Sequence, residues 1–190
     1  MKNVIDLEKT SAVGTDSVTA SSAVSLSVVH YYQNGQTWSS DYCGGLSSNP
    51  TIATAGCAIT SFAMVERYYG GSDDPGEVNS CLGTNAYPMS WTTAAVKYGL
   101  SSPTVNTYSD ETLNQAQAYS DACENIRTYS KPVIIGMKPK SGTGDSHFVV
   151  AKGVAPENAY IYINDPDSGK NYSVLSQYTS TYYVYEIIVY

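Results

Sequence analysis

Apolar residues recur at helical spacing in three segments of the chain. The first, Cys57–Tyr69, ends at a Gly-Gly pair, which commonly stops a helix. Its apolar stripe consists of Ala58, Phe62, Val65 and Tyr69. A second, shorter helix is predicted over Trp91–Tyr98, with Ser90 as N-cap and Gly99 after the last turn. The third opens at residues 109–111, where acidic side chains suit the positive end of the helix dipole. Its predicted inner face carries Leu113, Ala116, Tyr119, Cys123 and Ile126.

Beyond Lys131-Pro132 the pattern changes from helices to strands. Residues 133–137 and 147–151 are continuous apolar runs, typical of buried strands. Residues 160–163 are predicted to pair with the second run across a turn at 156–158, and Tyr182–Tyr190 closes the sheet. Helices first and an antiparallel sheet second predict an α+β architecture.

The N-terminal residues 1–28 are rich in Ser, Thr, Val and Ala and show no helical period. We interpret them as a linker or pro-segment that adds one edge strand near residues 26–29. One domain is then predicted over residues 29–190, because the chain of 190 residues has the length of a single ordinary domain. The stretches 34–50 and 71–90 are predicted to be loops that shape the substrate pocket.

Composition and charge exclude several classes of function. Ten basic against 17 acidic residues give a net charge of −7 without any basic run, so nucleic-acid binding is not expected. No apolar stretch is long enough to span a membrane, and the first nine residues lack the apolar run of a signal peptide. Eighteen Tyr against two Phe, with many Ser, Thr and Asn, favour an extracellular or cell-surface bacterial protein. Such a domain could be linked to other extracellular domains, and the sequence leaves the oligomeric state open.

Four cysteines and two histidines match no zinc spacing, and no metal or cofactor is expected. Cys123 falls on the inner face of its predicted helix and is interpreted as packing. Cys43 and Cys81 lie in predicted loops, where one disulfide between them is a hypothesis. Cys57 stands at the expected first turn of its helix, where backbone N–H groups and the helix dipole favour a thiolate.

Three further residues complete a nucleophilic site around Cys57. His147 begins a strand after the flexible stretch 141–144, so its ring can take the thiol proton as general base. Asp165 ends the next strand and would lie beside His147, fixing its orientation and tautomer. The side-chain amide of Gln33 could complete an oxyanion hole with the Cys57 N–H. Each residue alone also has a structural interpretation, as a buried thiol, a core histidine or a turn aspartate.

The order Gln, Cys, His, Asp, with a helix under the cysteine and strands under the other two, resembles the papain-like cysteine peptidases. The local sequences are similar to those of the C-thirty-nine-like peptidase family, relatives of the bacteriocin leader peptidases. They are Tyr31-Tyr32-Gln33 with Trp38, residues 51–70 around Ala55-Gly56-Cys57, Tyr98-Gly99-Leu100, Lys131-Pro132-Val133-Ile134, Ser146-His147-Phe148 and Ile163-Asn164-Asp165-Pro166.

The resemblance implies a papain-like fold and thiol-dependent hydrolysis of a peptide or protein substrate. It assigns Cys57 as nucleophile, His147 as base, Asp165 as orienting residue and Gln33 as oxyanion donor. Some relatives have Gly-Pro after the nucleophile where this chain has Ala58-Ile59, a change expected to reshape the cleft wall.

Two alternatives to a peptidase stay open at the level of sequence. The same machinery serves a cell-wall amidase or acyl transferase, because any acyl transfer can use a Cys–His pair. The fold could instead serve as a binding module without turnover, in which Tyr-rich loops with Trp38 and Trp91 form an aromatic platform for peptide or glycan. Core packing is the favoured interpretation of those aromatic residues.

Overall fold

An antiparallel sheet forms the centre of the protein, with helices against both of its faces. The structure is a computed structural model that describes residues 21–170 and 172–190. The described strands are β1 (Val24–Ser25), β2 (Thr104–Thr107), β3 (Val133–Pro139), β4 (His147–Val154), β5 (Ile161–Asn164) and β6 (Tyr182–Val189). Their order is β1-β4-β3-β6-β2, and β5 also pairs with β4. The predicted pairing of residues 160–163 with the His147 strand is therefore confirmed.

Five α-helices occur in the described residues. They are α1 (Ile52–Ala55), α2 (Cys57–Tyr68), α3 (Pro75–Leu82), α4 (Trp91–Tyr98) and α5 (Thr112–Tyr129). Helix α2 packs on one face of the sheet, against Ile134, Val150 and Ile188, while α5 covers the other face. Burial on both faces explains why β3 and β4 read as continuous apolar runs instead of alternating ones.

Two predicted helix faces differ from the structure. Helix α2 is buried almost all round from Ile59 to Glu66, so the predicted single stripe is too narrow. In α5 the side chain of Leu113 is 84% exposed and Ala116 is also exposed, so their placement on the inner face is wrong. Gln115 points inward there instead, and its amide bonds both the N–H and the carbonyl of Val184.

Helix α3 and strand β2 lie where the sequence analysis placed no regular structure. Asp74 caps α3 in a reciprocal capping box with Glu77, and Pro75 occupies its first turn. The sequence carries this signal, so the prediction of a continuous loop over 71–90 is wrong. Strand β2 is exposed along its whole length and pairs only with β6, which therefore lies inside the sheet and not at its edge.

The N-terminal part of the described chain supplies an edge strand, as expected, but two residues earlier than the predicted position. Val24 and Ser25 pair with Val154 and Gly153 of β4. The remainder of the predicted linker or pro-segment, residues 1–20, lies outside the described residues. Within the described ranges, no helix has the length and hydropathy needed to cross a membrane.

The hypothesis of a disulfide between Cys43 and Cys81 is wrong, since all four cysteines are free thiols. Cys43 is fully buried as the first residue of a short 3₁₀ turn, whereas Cys81 is exposed on α3. Cys123 is buried in the core on the α5 side of the sheet, as the helical period predicts.

Candidate active site

Cys57 is the first residue of α2, as the sequence predicts, and only Gly56 separates it from the short helix α1. Gly56 joins the two helices. A Cβ atom at this position would lie 2.5 Å from the carbonyl oxygen of Ile52 and 2.6 Å from its Cγ2, so a larger residue does not fit. This close approach fixes where α2 begins, and it leaves the Cys57 side chain 8% exposed at the wall of a cavity.

Gln33 lies against the same helix junction. Its Nε2 donates a hydrogen bond of 2.9 Å to the carbonyl oxygen of Ala53, one turn before Cys57. Its Oε1 is buried and has no hydrogen-bond partner among the described residues. Since an amide nitrogen carries two hydrogens, Nε2 keeps a second one for the cavity that Gln33 and Cys57 both line.

His147 and Asp165 form the polar pair expected from the sequence. His147 is the first residue of β4 and Asp165 directly follows β5, so the pairing of these strands brings them together. The distance between His147 Nε2 and Asp165 Oδ1 is 2.8 Å. Because Nε2 faces Asp165, Nδ1 is the ring nitrogen available to the Cys57 thiol.

Electrostatics in the pair favour a charged imidazolium beside a carboxylate. Burial alone disfavours the charged ring, but the hydrogen bond to Asp165 and the neighbouring Cys57 raise the pKa of His147 from 6.5 to about 9. Burial would also favour a neutral Asp165, yet the hydrogen bond from His147 and its charge hold the pKa of Asp165 below its usual value. At neutral pH both groups are therefore charged.

Asp165 has two further hydrogen-bond donors, neither of which the sequence analysis identified. The backbone N–H of Asp167 donates to Oδ1 over 3.0 Å, and the hydroxyl of Tyr178 donates to Oδ2. Tyr178 follows a 3₁₀ turn outside the motifs, in a chain with 18 tyrosines, so no local pattern distinguishes it.

The segments 28–34 and 164–168 are bound to each other by side chains. Asn164 donates through Nδ2 to the carbonyl oxygens of Val28 and Val29, each over 3.1 Å. His30 Nε2 lies 2.7 Å from the carbonyl oxygen of Asp165, and the Gln33 N–H donates to the Pro166 carbonyl over 2.9 Å. We call this set of contacts the N-terminal clasp. It holds Gln33 and Asp165 in one unit and gives the asparagine of the Asn-Asp-Pro motif a structural role.

A cavity of about 970 Å³ opens in front of these residues. Gln33, Cys57 and His147 line it, whereas Asp165 lies behind His147 with an exposed fraction of 1%. One wall is largely apolar and consists of Ala86, Tyr87, Pro88, Met89, Trp91 and Phe148. Much of that wall belongs to the stretch 71–90 that was expected to shape the pocket, and Ala58, the residue that departs from the family pattern, also lines the cavity.

The two tryptophans have different positions relative to the cavity. Trp91 lines it and packs against Phe148 with ring centroids 5.5 Å apart. Trp38 packs edge-on against Tyr31 and donates through Nε1 to the Tyr32 carbonyl over 2.9 Å, so it supports the segment that carries Gln33. Across residues 21–170 and 172–190, no group of His, Cys, Asp and Glu is arranged to hold a metal ion.

Comparison with known proteins agrees with the family that the motifs indicate. A model of the Peptidase_C39 like family matches residues 25–189, which is most of the chain. A search of the curated proteins gives no match. Among solved structures, the cysteine protease interpain A of Prevotella intermedia is similar at 14% identity and a TM-score of 0.39, covering 90% of this chain and 74% of that one. The chain therefore belongs to the Peptidase_C39 like family, with an α+β fold, and is a protein of the cysteine-peptidase type.

Proposed function

We propose that this protein hydrolyses peptide bonds, with Cys57 as nucleophile, His147 as general base and acid, and Asp165 as the residue that orients His147. The observation that carries the proposal is the hydrogen bond of 2.8 Å between His147 and Asp165, on a ring that shares one cavity with the thiol at the start of α2. A nucleophile, a base and an orienting carboxylate in this relation form the general unit of acyl transfer.

The first half of the reaction forms an acyl-enzyme. The Cys57 sulfur attacks the scissile carbonyl carbon as a thiolate, with its proton held on His147 Nδ1. The resulting tetrahedral species collapses as the C–N bond breaks, and His147 returns the proton to the leaving amine. Asp165 stays ionised throughout and keeps Nδ1 directed at the sulfur. The product of this half is a thioester on Cys57 and a free amine.

The second half releases the acyl group by hydrolysis. A water molecule in the cavity gives a proton to His147 Nδ1 while its oxygen attacks the thioester carbonyl. The C–S bond then breaks and releases the Cys57 thiolate beside the protonated His147. The acid product leaves with the water oxygen, and the site returns to its starting state.

Negative charge that develops on the carbonyl oxygen would be stabilised by two donors. One is the backbone N–H of Cys57, because N–H groups in the first turn of a helix have no partner within the helix. The other is the second hydrogen of Gln33 Nε2. Donors fixed in a buried site contribute strongly to transition-state stabilisation, since they need no reorganisation when the charge appears.

The cavity walls indicate the chemistry of the peptide that it accepts. Its charged lining apart from His147 consists of the carboxylates of Asp145, Asp167 and Glu186 against the single ammonium of Lys170. Because these carboxylates share the cavity with apolar lining residues, the cavity suits peptides with neutral, apolar or basic side chains near the scissile bond. Acidic peptides are expected to be poor substrates.

Peptide cleavage by matched cysteine variants tests the proposal. The protein is incubated with a mixture of synthetic peptides and the products are identified by mass spectrometry. We expect cleavage by the wild type and by Cys81→Ala, whose thiol is exposed on α3, and no cleavage by Cys57→Ala. Cleavage that survives Cys57→Ala would overturn the proposal. Peptide binding without cleavage by the wild type would instead identify a binding module.

A competing acyl acceptor separates hydrolysis from acyl transfer. Product peptides are analysed after incubation with a primary amine at a concentration far below that of water. Free carboxylate ends are expected to dominate. Predominant capture of the acyl group by the amine would identify a transferase.

A further inference from the structure

Tyr178 contacts the charged pair but does not itself line the substrate cavity. Its hydroxyl donates to Asp165 Oδ2, and its side chain is 1% exposed. Burial and the neighbouring charge of Asp165 raise the pKa of Tyr178, so the hydroxyl stays protonated and remains a donor.

The hydrogen bonds of Asp165 divide its two oxygens between different partners. Oδ1 accepts from His147 and from the Asp167 N–H, while Oδ2 accepts from Tyr178. Rotation of the carboxylate would break these bonds and leave a buried charged oxygen unpaired, which is costly. Tyr178 therefore holds the carboxylate in the orientation in which Oδ1 faces His147.

The ring of Tyr178 is held in place by its neighbours. It lies against the His147 ring with centroids 5.5 Å apart, and it packs edge-on against Tyr172 and Tyr182 at 4.8 and 5.7 Å. Lys170 Nζ lies 5.1 Å from the centre of the same ring. A ring with so many contacts presents its hydroxyl at a fixed position, as a residue that orients another group must.

We propose that Tyr178 is a positioning residue of the Cys57–His147–Asp165 site, fixing the Asp165 carboxylate and sharing its negative charge through the hydroxyl hydrogen bond. The importance of Tyr178 for catalysis rests on the proposed function. Its effect on Asp165 and His147 does not, because it depends only on the hydrogen bonds that connect the three side chains. Tyr178 acts through Asp165 and touches neither the thiol proton nor the substrate carbonyl in the proposed reaction.

Charge sharing predicts the direction in which His147 responds to loss of the hydroxyl. In Tyr178→Phe the Asp165 charge is no longer drawn toward a donor, so it attracts the His147 proton more strongly and the pKa of His147 rises. Mere loosening of the packing would weaken the His147–Asp165 bond and lower that pKa. The two explanations therefore predict shifts of the His147 pKa in opposite directions.

Other titratable groups face the pair and must stay unchanged in the comparison. They come from each adjoining segment: Cys57 of α2, His30 of the N-terminal clasp, Asp145 before β4, Asp167 and Lys170 after β5, Tyr172, and Tyr182, Tyr185 and Glu186 of β6. A single Tyr→Phe substitution leaves all of them in place.

Histidine-selective NMR measures the effect directly, because the chain has only two histidines. The ring carbon of His147 is titrated in wild type, Tyr178→Phe and the matched control Tyr172→Phe, with His30 as the internal reference. We expect a midpoint of about 9 for the wild type and for Tyr172→Phe. In Tyr178→Phe we expect an upward shift of about one unit. An unchanged or lowered midpoint in Tyr178→Phe would overturn the proposal.

A second variant keeps the test informative if Tyr178→Phe fails to fold. Incorporation of 3-fluorotyrosine at position 178 preserves the ring and makes the hydroxyl a stronger donor, so the His147 midpoint is expected to fall. Circular dichroism shows whether each variant is folded. A midpoint that rises or does not move with the stronger donor would contradict charge sharing.

The titration separates this inference from the peptidase proposal. If the wild-type protein cleaves no peptide while the two tyrosine variants shift His147 in opposite directions, the proposed function fails and the role of Tyr178 stands. If peptides are cleaved but the His147 midpoint does not shift in either tyrosine variant, the proposed function stands and the role of Tyr178 fails. A wild-type midpoint near 6.5 would overturn the inference about Tyr178, since Asp165 would then not hold an imidazolium, whereas peptide cleavage alone decides the proposed function.

Discussion

Gln33 and Cys57 are linked through one backbone carbonyl, that of Ala53, which lies one turn before Cys57 and accepts a hydrogen bond of 2.9 Å from Gln33 Nε2. The amide that faces the nucleophile is therefore fixed by the same helix junction that positions the thiol. Substitution of Gln33 therefore tests what its amide contributes to the proposed reaction.

Gln33→Ala is expected to lower kcat/KM for peptide cleavage by roughly 10²- to 10³-fold, as removal of one oxyanion donor commonly does. The loss should fall on kcat, because the donor acts when charge develops on the carbonyl oxygen. Steady-state kinetics check this, with Gln36→Ala as control since Gln36 is exposed. Equal rates for the two variants would remove Gln33 from the reaction.

Activity and stability are both expected to fall at alkaline pH, because the pKa of His147 is raised from 6.5 to about 9. The protonated ring stabilises the folded state fully below the lower value, and this contribution is lost as pH rises through the upper one. Thermal unfolding and peptide cleavage are compared between about pH 6 and about pH 10 for wild type and His147→Gln. A variant whose stability falls as steeply as that of the wild type would contradict this assignment.

Alkylation of the native protein is expected to modify Cys57 and Cys81 and to spare Cys43 and Cys123. Burial and the neighbouring Cys57 raise the pKa of Cys43 to about 11, and burial also raises the pKa of Cys123. Peptide mapping after iodoacetamide treatment at neutral pH shows which thiol reacts first. We expect Cys57 to react faster than the exposed Cys81, and His147→Ala to abolish the difference. Slower labelling of Cys57 in the wild type would argue against a Cys57 thiolate beside a protonated His147.

Gly56→Ala is expected to impair folding and reactivity together. The added Cβ would lie 2.5 Å from the Ile52 carbonyl oxygen, so α1 and α2 must separate. Forcing extra volume into a packed site costs about 1–3 kcal/mol. Chemical denaturation measures the free energy of unfolding, and the exposed α5 variant Ser120→Ala is the control. Wild-type stability in Gly56→Ala would show that the junction can relax.

Truncation tests the N-terminal clasp. A chain that begins at residue 21 is expected to unfold at a higher temperature than one that begins at residue 30. The shorter chain lacks Val28, which is buried in the core, and both carbonyl groups that accept from Asn164. Equal unfolding temperatures would mean that residues 21–29 contribute nothing to the fold.

Cys57, His147 and Asp165 could be predicted because each stands at a boundary that the local pattern marks: a Gly before a helix, a loop before a strand and a turn after one. Their partners could not. Tyr178, His30 and Asn164 act through contacts between segments more than a hundred residues apart or outside any motif, and no periodicity encodes such contacts.

Errors in the predicted fold also have physical causes. Helix α3 was missed although Asp74-Pro75 and Glu77 form a capping box, because turn-forming residues dominate that stretch. Leu113 is exposed because the core-facing stripe of α5 passes through Gln115 and Ala118 instead. Hydrophobicity alone assigned the wrong face where a glutamine makes backbone hydrogen bonds in the interior.

The positions of the site residues along the sequence determine when the site can assemble during synthesis. Cys57 and Gln33 leave the ribosome before residues 147–178, which carry the groups that would activate the thiol. During synthesis the cysteine is thus present without its base. We expect the thiol to gain its base only after residue 178 has been synthesised, so that a shorter nascent chain lacks the proposed activity.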